Sequence, residues 1–534
     1  MCHGQRLRFV VGTAIISLLV VISLTYQHSF GFEDRTDNDL LPAPRPTPET
    51  AICQAWSDNH FWTHEEPPFE ECDNGIHLPH VGDTNVLGGA RKCFRASTRL
   101  EQYRSSNGRD WSDINWGRLQ SQCISTSNEL LSHEEEMQRI WRQPPSQEGE
   151  RNSTARSEPD TAIVLRTWDD YQYTENRLAW LRALIAEASL QRTHRYRVFL
   201  LVNIKDPDVH LEENADDYER LLQKCVPKEF RHMAFLFNER TLKAWYPLIG
   251  EYGAQNQMYQ ALQVFSGKFP EYEFLWQLEM DLRFTSHVHD TLEASTTFAR
   301  NQSRHNLWER NGRFYNPAVY NHSYENFASA VDDQIFEDGI WGPVPTSDFA
   351  PYGTQIPIRS RDWGIGEEAD LITFMPMIDP IGTKWVYENV IHGFADEATT
   401  PRRLAIVSIT RSSRRLLRLV SDAQRQRGQW LASEATLQTF SLLHGLKAVT
   451  VPHPIMFNSD IAAGELDRHI NRGPPSNKAG GDRPSMLYTT EGWIDGPWRQ
   501  ASYWFAGEGP QAFWDMYVGG ASLPPMLLHP VKEE

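Results

Sequence analysis

Ala162-Ile-Val-Leu-Arg166 and Tyr196-Arg-Val-Phe-Leu-Leu-Val-Asn-Ile204 are apolar runs of strand length, and between them Glu175 to Leu190 carries its apolar residues at helical spacing. The alternation continues downstream. Ala215 to Leu222 reads as a helix, Met233 to Phe237 as a strand, Asn256 to Phe265 as a helix and Glu273 to Leu278 as a strand. Strands alternating with helices predict an α/β fold: a mainly parallel sheet with helices on its faces. The ligand crevice of such a sheet lies beyond the carboxyl ends of its strands, so the residues just after each strand are the first candidates for chemistry. Past Asp281 the chain is loop-rich, with apolar runs at Leu371 to Met375, Leu404 to Ile409 and Leu446 to Val451 and a basic helix from Arg411 to Arg427. No repeat of solenoid or propeller period is present.

Upstream of this pattern the composition changes in steps. Residues 51–160 hold Cys53, Cys72, Cys93 and Cys123 and read as an irregular, disulfide-tied lead-in; four cysteines allow three pairings, and Cys225 is left over. Residues 27–50 are acidic and Pro-rich, as in an extended stem. Phe9 to Leu24 carries no charge, and extended to Tyr26 it is long enough for one membrane-spanning helix. His3, Arg6 and Arg8 precede it while Glu33, Asp34, Asp37 and Asp39 follow, which predicts a cytoplasmic N-terminus. The alternative is a cleaved signal peptide, but no small-x-small site follows Leu24. The expected organisation is a tail at 1–8, an anchor at 9–26, the stem, the lead-in and a lumenal α/β domain at 161–534, in a type II protein of the Golgi or endoplasmic reticulum membrane. Sequons at Asn152, Asn301 and Asn321 fit lumenal exposure.

The 534-residue chain has a formal net charge of −18, which argues against nucleic acid as a partner because phosphate binding needs a positive face. Its 18 Trp, 18 Tyr and 25 Phe suit a large core and equally suit stacking on sugar rings. No nucleophile elbow, Walker loop, His-Glu-x-x-His or dinucleotide fingerprint occurs, so hydrolase, NTPase, zinc-protease and dehydrogenase readings lack their usual signals.

The candidate chemistry falls at five places. Trp276-Gln-Leu-Glu279-Met-Asp281 ends a strand in two carboxylates two residues apart, with Arg283 following; such a pair grips a hard divalent cation that bridges two phosphates. Glu367, Glu368 and Asp370 follow a Gly-containing turn, where a carboxylate would deprotonate an acceptor hydroxyl or simply favour a helix start. His444 and His453 flank a strand, and His444 is the preferred imidazole partner for the cation. Arg411, Arg414, Arg415 and Arg418 offer guanidinium groups to a diphosphate or else form an ion-paired face. Trp308, Arg310 and their neighbours mix aromatic and charged groups suited to a sugar-contacting loop, and Arg166 ends the first strand.

At Val164-Leu-Arg-Thr-Trp168, Trp276 to Arg283, Leu307-Trp-Glu-Arg-Asn311, Trp363 to Ile372, Ser433-Glu434, His444 to Ala448 with His453-Pro454, and Leu523 to Pro530, the chain resembles a fungal family of glycosyltransferase-like membrane proteins. That family is domain-of-unknown-function family three-four-zero-five. The likeness runs from about Trp111 to the C-terminus. More loosely, the order of carboxylate pair, glycine loop, Glu-rich element and late His is similar to the GT-A glycosyltransferase core. This likeness implies Glu279 and Asp281 as the metal-gripping pair, Glu368 as the acidic catalytic element and His444 as the metal-binding His. The chain departs from that pattern in carrying Glu279 where Asp is usual and Ala369 after Glu368, which leaves the base among Glu367, Glu368 and Asp370, or leaves an enzyme that retains configuration.

The resulting expectation is a glycosyltransferase that uses Mn²⁺ or Mg²⁺ and moves a sugar from a nucleotide-sugar to a glycan or glycoprotein acceptor. In that expectation the metal is held by Glu279, Asp281 and His444, and the donor is held by Arg166, Arg283, Trp308 and Arg310. The alternatives are a non-catalytic glycan-binding protein on the same fold and a glycosidase using two of the carboxylates.

Overall fold

A computed structural model describes residues 69–532 apart from 73–77, 89–91, 106–109, 125–129, 146–159, 192–195, 336–338, 341, 349–359, 384, 407 and 472–496. The expected tail, anchor and stem lie outside the described residues, as do Cys53 and Asn152. Among the described residues no helix is long and apolar enough to cross a membrane.

In chain order the strands that matter here are β1 Thr161–Trp168, β2 Arg197–Asn203, β3 Ala234–Phe237, β4 Phe274–Glu279, β5 Arg283–Phe284, β6 Leu371–Thr373, β7 Ile409–Ser413, β8 Ala448–Thr450 and β9 Leu527–Leu528. Seven of them form one sheet in the order β8-β6-β7-β4-β1-β2-β3. β1 is parallel to β2 and β4, β2 to β3, and β6 to β8; β7 alone runs against its neighbours β4 and β6. The mainly parallel sheet expected from the alternation is present. Ala162 to Leu165 are fully buried, which is why β1 reads as a continuous apolar run and not as an alternating one.

The helices on its faces include α1 Trp116–Ile124, α2 Leu130–Trp141, α3 Glu175–Ile185, α4 Ala215–Cys225, α5 Glu239–Trp245, α6 Gln260–Lys268, α7 Val288–Asn301, α8 Arg414–Arg427, α9 Ser433–His444 and α10 Gly509–Val518. Thr174, Asn214, Asn238 and Ser413 cap α3, α4, α5 and α8 through side-chain oxygens that accept helix N–H bonds. Such a cap is worth about 1 kcal/mol.

Two expectations change here. The basic helix begins at Arg414, because Arg411 belongs to β7, where the ladders to β4 and β6 claim its backbone. The apolar run Leu404 to Ile409 contributes only Ile409 to that strand.

The lead-in is less irregular than expected, since α1 and α2 pack on the sheet. β3 pairs with β2 only from Leu200 onward, so Val198 has an open edge; Gln120 of α1 closes it by accepting from Val198 N at 2.7 Å and donating to Val198 O at 3.3 Å. Lys268 of α6 donates to the carbonyls of Ile140, Trp141 and Gln143 and so satisfies the end of α2. Cys72 and Cys93 form a disulfide, and Cys225 is buried and free.

Candidate metal centre

The order β3-β2-β1-β4 places the reversal of winding between β1 and β4. A crevice opens at the carboxyl ends of strands at such a point. Register puts Arg166, near the end of β1, directly opposite Glu279, the last residue of β4. The two side chains form an ion pair at 2.7 Å. Beside them lies a cleft of about 550 Å³, lined by Trp168, Asn203 and Lys205 on one side and by Asp281, His529 and Lys532 on the other.

Glu279, Asp281 and His529 each offer one ligand atom, and these atoms lie within 4.8 Å of one another. His529 Nε2 is 3.1 Å from a Glu279 oxygen and 3.4 Å from an Asp281 oxygen. Its Nδ1 lies 2.7 Å from the carbonyl of Trp504 and donates to it, which fixes the ring and turns Nε2 toward the carboxylates. Lys532 reaches the other Asp281 oxygen at 3.2 Å. Two carboxylates suit a hard divalent cation such as Mn²⁺ or Mg²⁺, and the imidazole adds a nitrogen donor of the kind that transition metals accept.

The electrostatics follow from this packing. Burial pulls the His529 pKa down, but the hydrogen bonds and charges of Asp281 and Glu279 outweigh it and raise it to about 9. Burial opposes the charge of Asp281, yet His529 and Lys532 hold it well below the usual carboxylate range.

His529 comes from the far end of the chain. β9 pairs antiparallel with β5, setting Leu528 opposite Arg283, and Val531 N donates to Asp281 O at 2.8 Å. The C-terminal strand is thereby laid along the segment that carries Asp281. His529 falls within Leu523 to Pro530 but is not among the metal ligands expected from sequence. Its signal was a His-Pro pair closing a short apolar run, too common to single out.

His444 does not join the trio. It ends α9 with its ring stacked on Phe440, and burial, aided by the Arg427 charge, lowers its pKa to about 4. Glu367, Glu368 and Asp370 do not line the cleft either. Leu371 shares a row with Ser412 and Leu275, the latter standing four positions before Glu279, so the acidic run lies at the amino edge of the sheet. At about 3.3 Å per residue that row is about 13 Å from Glu279. Each of the three is held by arginine: Glu367 by Arg304 at 2.6 Å, Glu368 by Arg300 and by Arg411 at 3.0 Å, and Asp370 by Arg415 at 2.6 Å. The basic cluster is therefore the ion-paired face that the sequence allowed.

Of the expected donor-binding residues only Arg166 lines the cleft. Arg283 is fully buried, with Nη1 donating to the carbonyls of Met280 and Leu282. Trp308 and Arg310 are buried in the short helix Leu307–Asn311, where Arg310 donates to the carbonyls of Ser303 and His305.

A further carboxylate, Glu434, lies within electrostatic reach of Glu279. Glu434 stands in the first turn of α9, and Ser433 beside it accepts from Met258 N at 3.0 Å, on the cleft wall. Its Oε2 is buried and has no hydrogen-bond partner among the described residues. Burial, with a contribution from the Glu279 charge, raises its pKa to about 7 although a helix N-terminus favours the anion.

Fold and site together define an α/β protein with a carboxylate–imidazole cluster, a candidate cation site, at the crossover of its sheet. The chain belongs to the family described as Protein of unknown function (DUF3405), whose match spans residues 85–533. The membership expected from the sequence motifs is thereby borne out. No curated protein matches the chain significantly.

Proposed function

We propose that the protein is a GT-A-like, metal-dependent glycosyltransferase that moves a sugar from a nucleotide-sugar to a glycan or glycoprotein hydroxyl. The observation that carries this reading is the convergence of Glu279, Asp281 and His529 on one side of a cleft at the crossover of a parallel sheet. A Mn²⁺ or Mg²⁺ ion held there would neutralise the diphosphate that leaves, where charge develops in such a transfer. Arg166 and Lys532, already paired with Glu279 and Asp281, supply two further cationic groups for phosphate oxygens. Glu434, which does not line the cleft but lies within the electrostatic reach of Glu279, is the carboxylate this proposal offers as base in place of Glu367, Glu368 or Asp370. A buried carboxylate with a pKa of about 7 is suited to accept the proton of an acceptor hydroxyl near neutrality. The Golgi or endoplasmic reticulum location belongs to the same proposal and rests on the uncharged run from Phe9 to Leu24 and its flanking charges.

The test is thermal stability of the full-length protein against nucleoside diphosphates and nucleotide-sugars, each with and without Mn²⁺. A ligand at a hundred times its dissociation constant adds about 2.7 kcal/mol, which is readable as a melting shift. The expected result is a shift that needs both metal and nucleotide and disappears in Asp281→Ala. A shift given by glycans alone would move the reading to a glycan-binding protein or a glycosidase.

A further inference from the structure

We infer that Arg283 is a positioning residue of the cation site, whose guanidinium sets the turn that carries Asp281. The inference rests on the metal reading above and deepens it. Glu279 and Asp281 are separated by one residue at the end of β4, and the chain then turns into β5; Leu282 N donates back to Glu279 O at 3.2 Å. Nη1 of Arg283 donates to the carbonyls of Met280 at 2.8 Å and Leu282 at 2.9 Å, the residues before and after Asp281. The guanidinium itself is held between two indoles, with its carbon 4.5 Å from the ring centre of Trp180 and 5.5 Å from that of Trp514. A planar cation between aromatic faces has little freedom to rotate.

The same residue reaches the second source of ligands through its backbone. Arg283 pairs with Leu528, the residue before His529, across the β5–β9 ladder. One side chain thus braces a carbonyl on each side of Asp281, while its own main chain aligns the strand that delivers His529. Binding constellations need their groups held within about 0.5 Å by residues that packing and supporting hydrogen bonds lock in place, and Arg283 is such a residue here. An apolar side chain of similar volume would fill the space between the indoles and leave both carbonyls without this donor. A lysine would keep the charge but lose the planar fork.

The experiment uses full-length protein and follows Mn²⁺ binding by electron paramagnetic resonance of the free ion, with Ca²⁺ competition as a second readout. Arg283→Met is expected to weaken Mn²⁺ binding at least tenfold and to narrow the preference for Mn²⁺ over the larger Ca²⁺, with Arg283→Lys in between. Leu222→Ala, a core change on α4, is expected to lower the melting temperature while leaving Mn²⁺ affinity within twofold. Folded Arg283→Met with wild-type Mn²⁺ affinity and selectivity overturns the inference and leaves the metal reading standing. If Arg283→Met does not fold, wild-type affinity and selectivity in Arg283→Lys overturn it equally. Wild-type protein that takes up no Mn²⁺ removes both.

Discussion

His529 donates from Nδ1 to Trp504 and turns Nε2 toward Glu279 and Asp281, so in the metal-free protein a proton occupies the position that a cation would take. Its folded pKa of about 9 lies above the usual imidazole value of about 6.5. The stabilisation from that proton is therefore complete below pH 6.5 and is lost as the pH rises through 9. Melting temperatures of chelator-treated protein are expected to fall between these limits, and to fall less in His529→Gln. Mn²⁺ must displace the same proton, so its affinity is expected to rise about tenfold per pH unit between pH 7 and 9. A Mn²⁺ titration repeated across that range, with proton release recorded, checks both statements. Flat affinity would mean that His529 is not a ligand.

At the scale of elements, the two ends of the sheet do different work. The carboxyl ends of β1 and β4 carry Arg166 and Glu279 into the cleft, whereas the amino end of β6 is closed by arginine–carboxylate pairs. Glu368→Gln is therefore expected to lower stability by about 1–3 kcal/mol, because buried Arg411 loses its carboxylate partner. The metal-dependent nucleotide shift should survive in that variant, while Asp281→Ala abolishes it. Loss of the shift in Glu368→Gln at full folding would return the chemistry to the amino edge. Both acidic motifs were legible as acidic motifs. What separates them is strand direction, since a carboxylate after a parallel strand faces the crevice and one before it faces the other edge. Spacing along the chain carries no such information.

At the scale of the molecule, the lead-in is part of the core. Trp116 donates to Glu229 at 2.8 Å, Trp141 donates to Leu236 O at 2.8 Å, and both indoles are buried. Lys268 keeps three carbonyls of the lead-in satisfied from the opposite side. A chain beginning at Asp160 is thus expected to lack a cooperative melting transition, because it would expose β2 at Val198 and the apolar surface under α1 and α2. Calorimetry on that chain decides the matter. A sharp transition near that of the full chain would make residues 161–534 an independent domain.

Local sequence pattern settles the class of fold and names two of the three residues of the candidate cation site. Alternating strand-length and helix-length apolar runs dictate a helix-covered parallel sheet, because each element has only one way to bury its face. The Glu279-x-Asp281 pair at the end of such a strand is a local feature, and local features are read from spacing. The tertiary structure decided the rest. His529 lies 248 residues from Asp281 in sequence and reaches it only through the β5–β9 pairing, which two-residue strands do not announce in their composition. Arg283 follows the carboxylate pair, where its position in sequence suggests a ligand-binding cation, but it is fully buried against the indoles of Trp180 and Trp514. Burial raises the pKa of Glu434, with a contribution from the charge of Glu279 on β4, far from it in sequence. Long-range packing sets burial and charge environment, and these quantities turn a plausible residue into a site or into scaffolding.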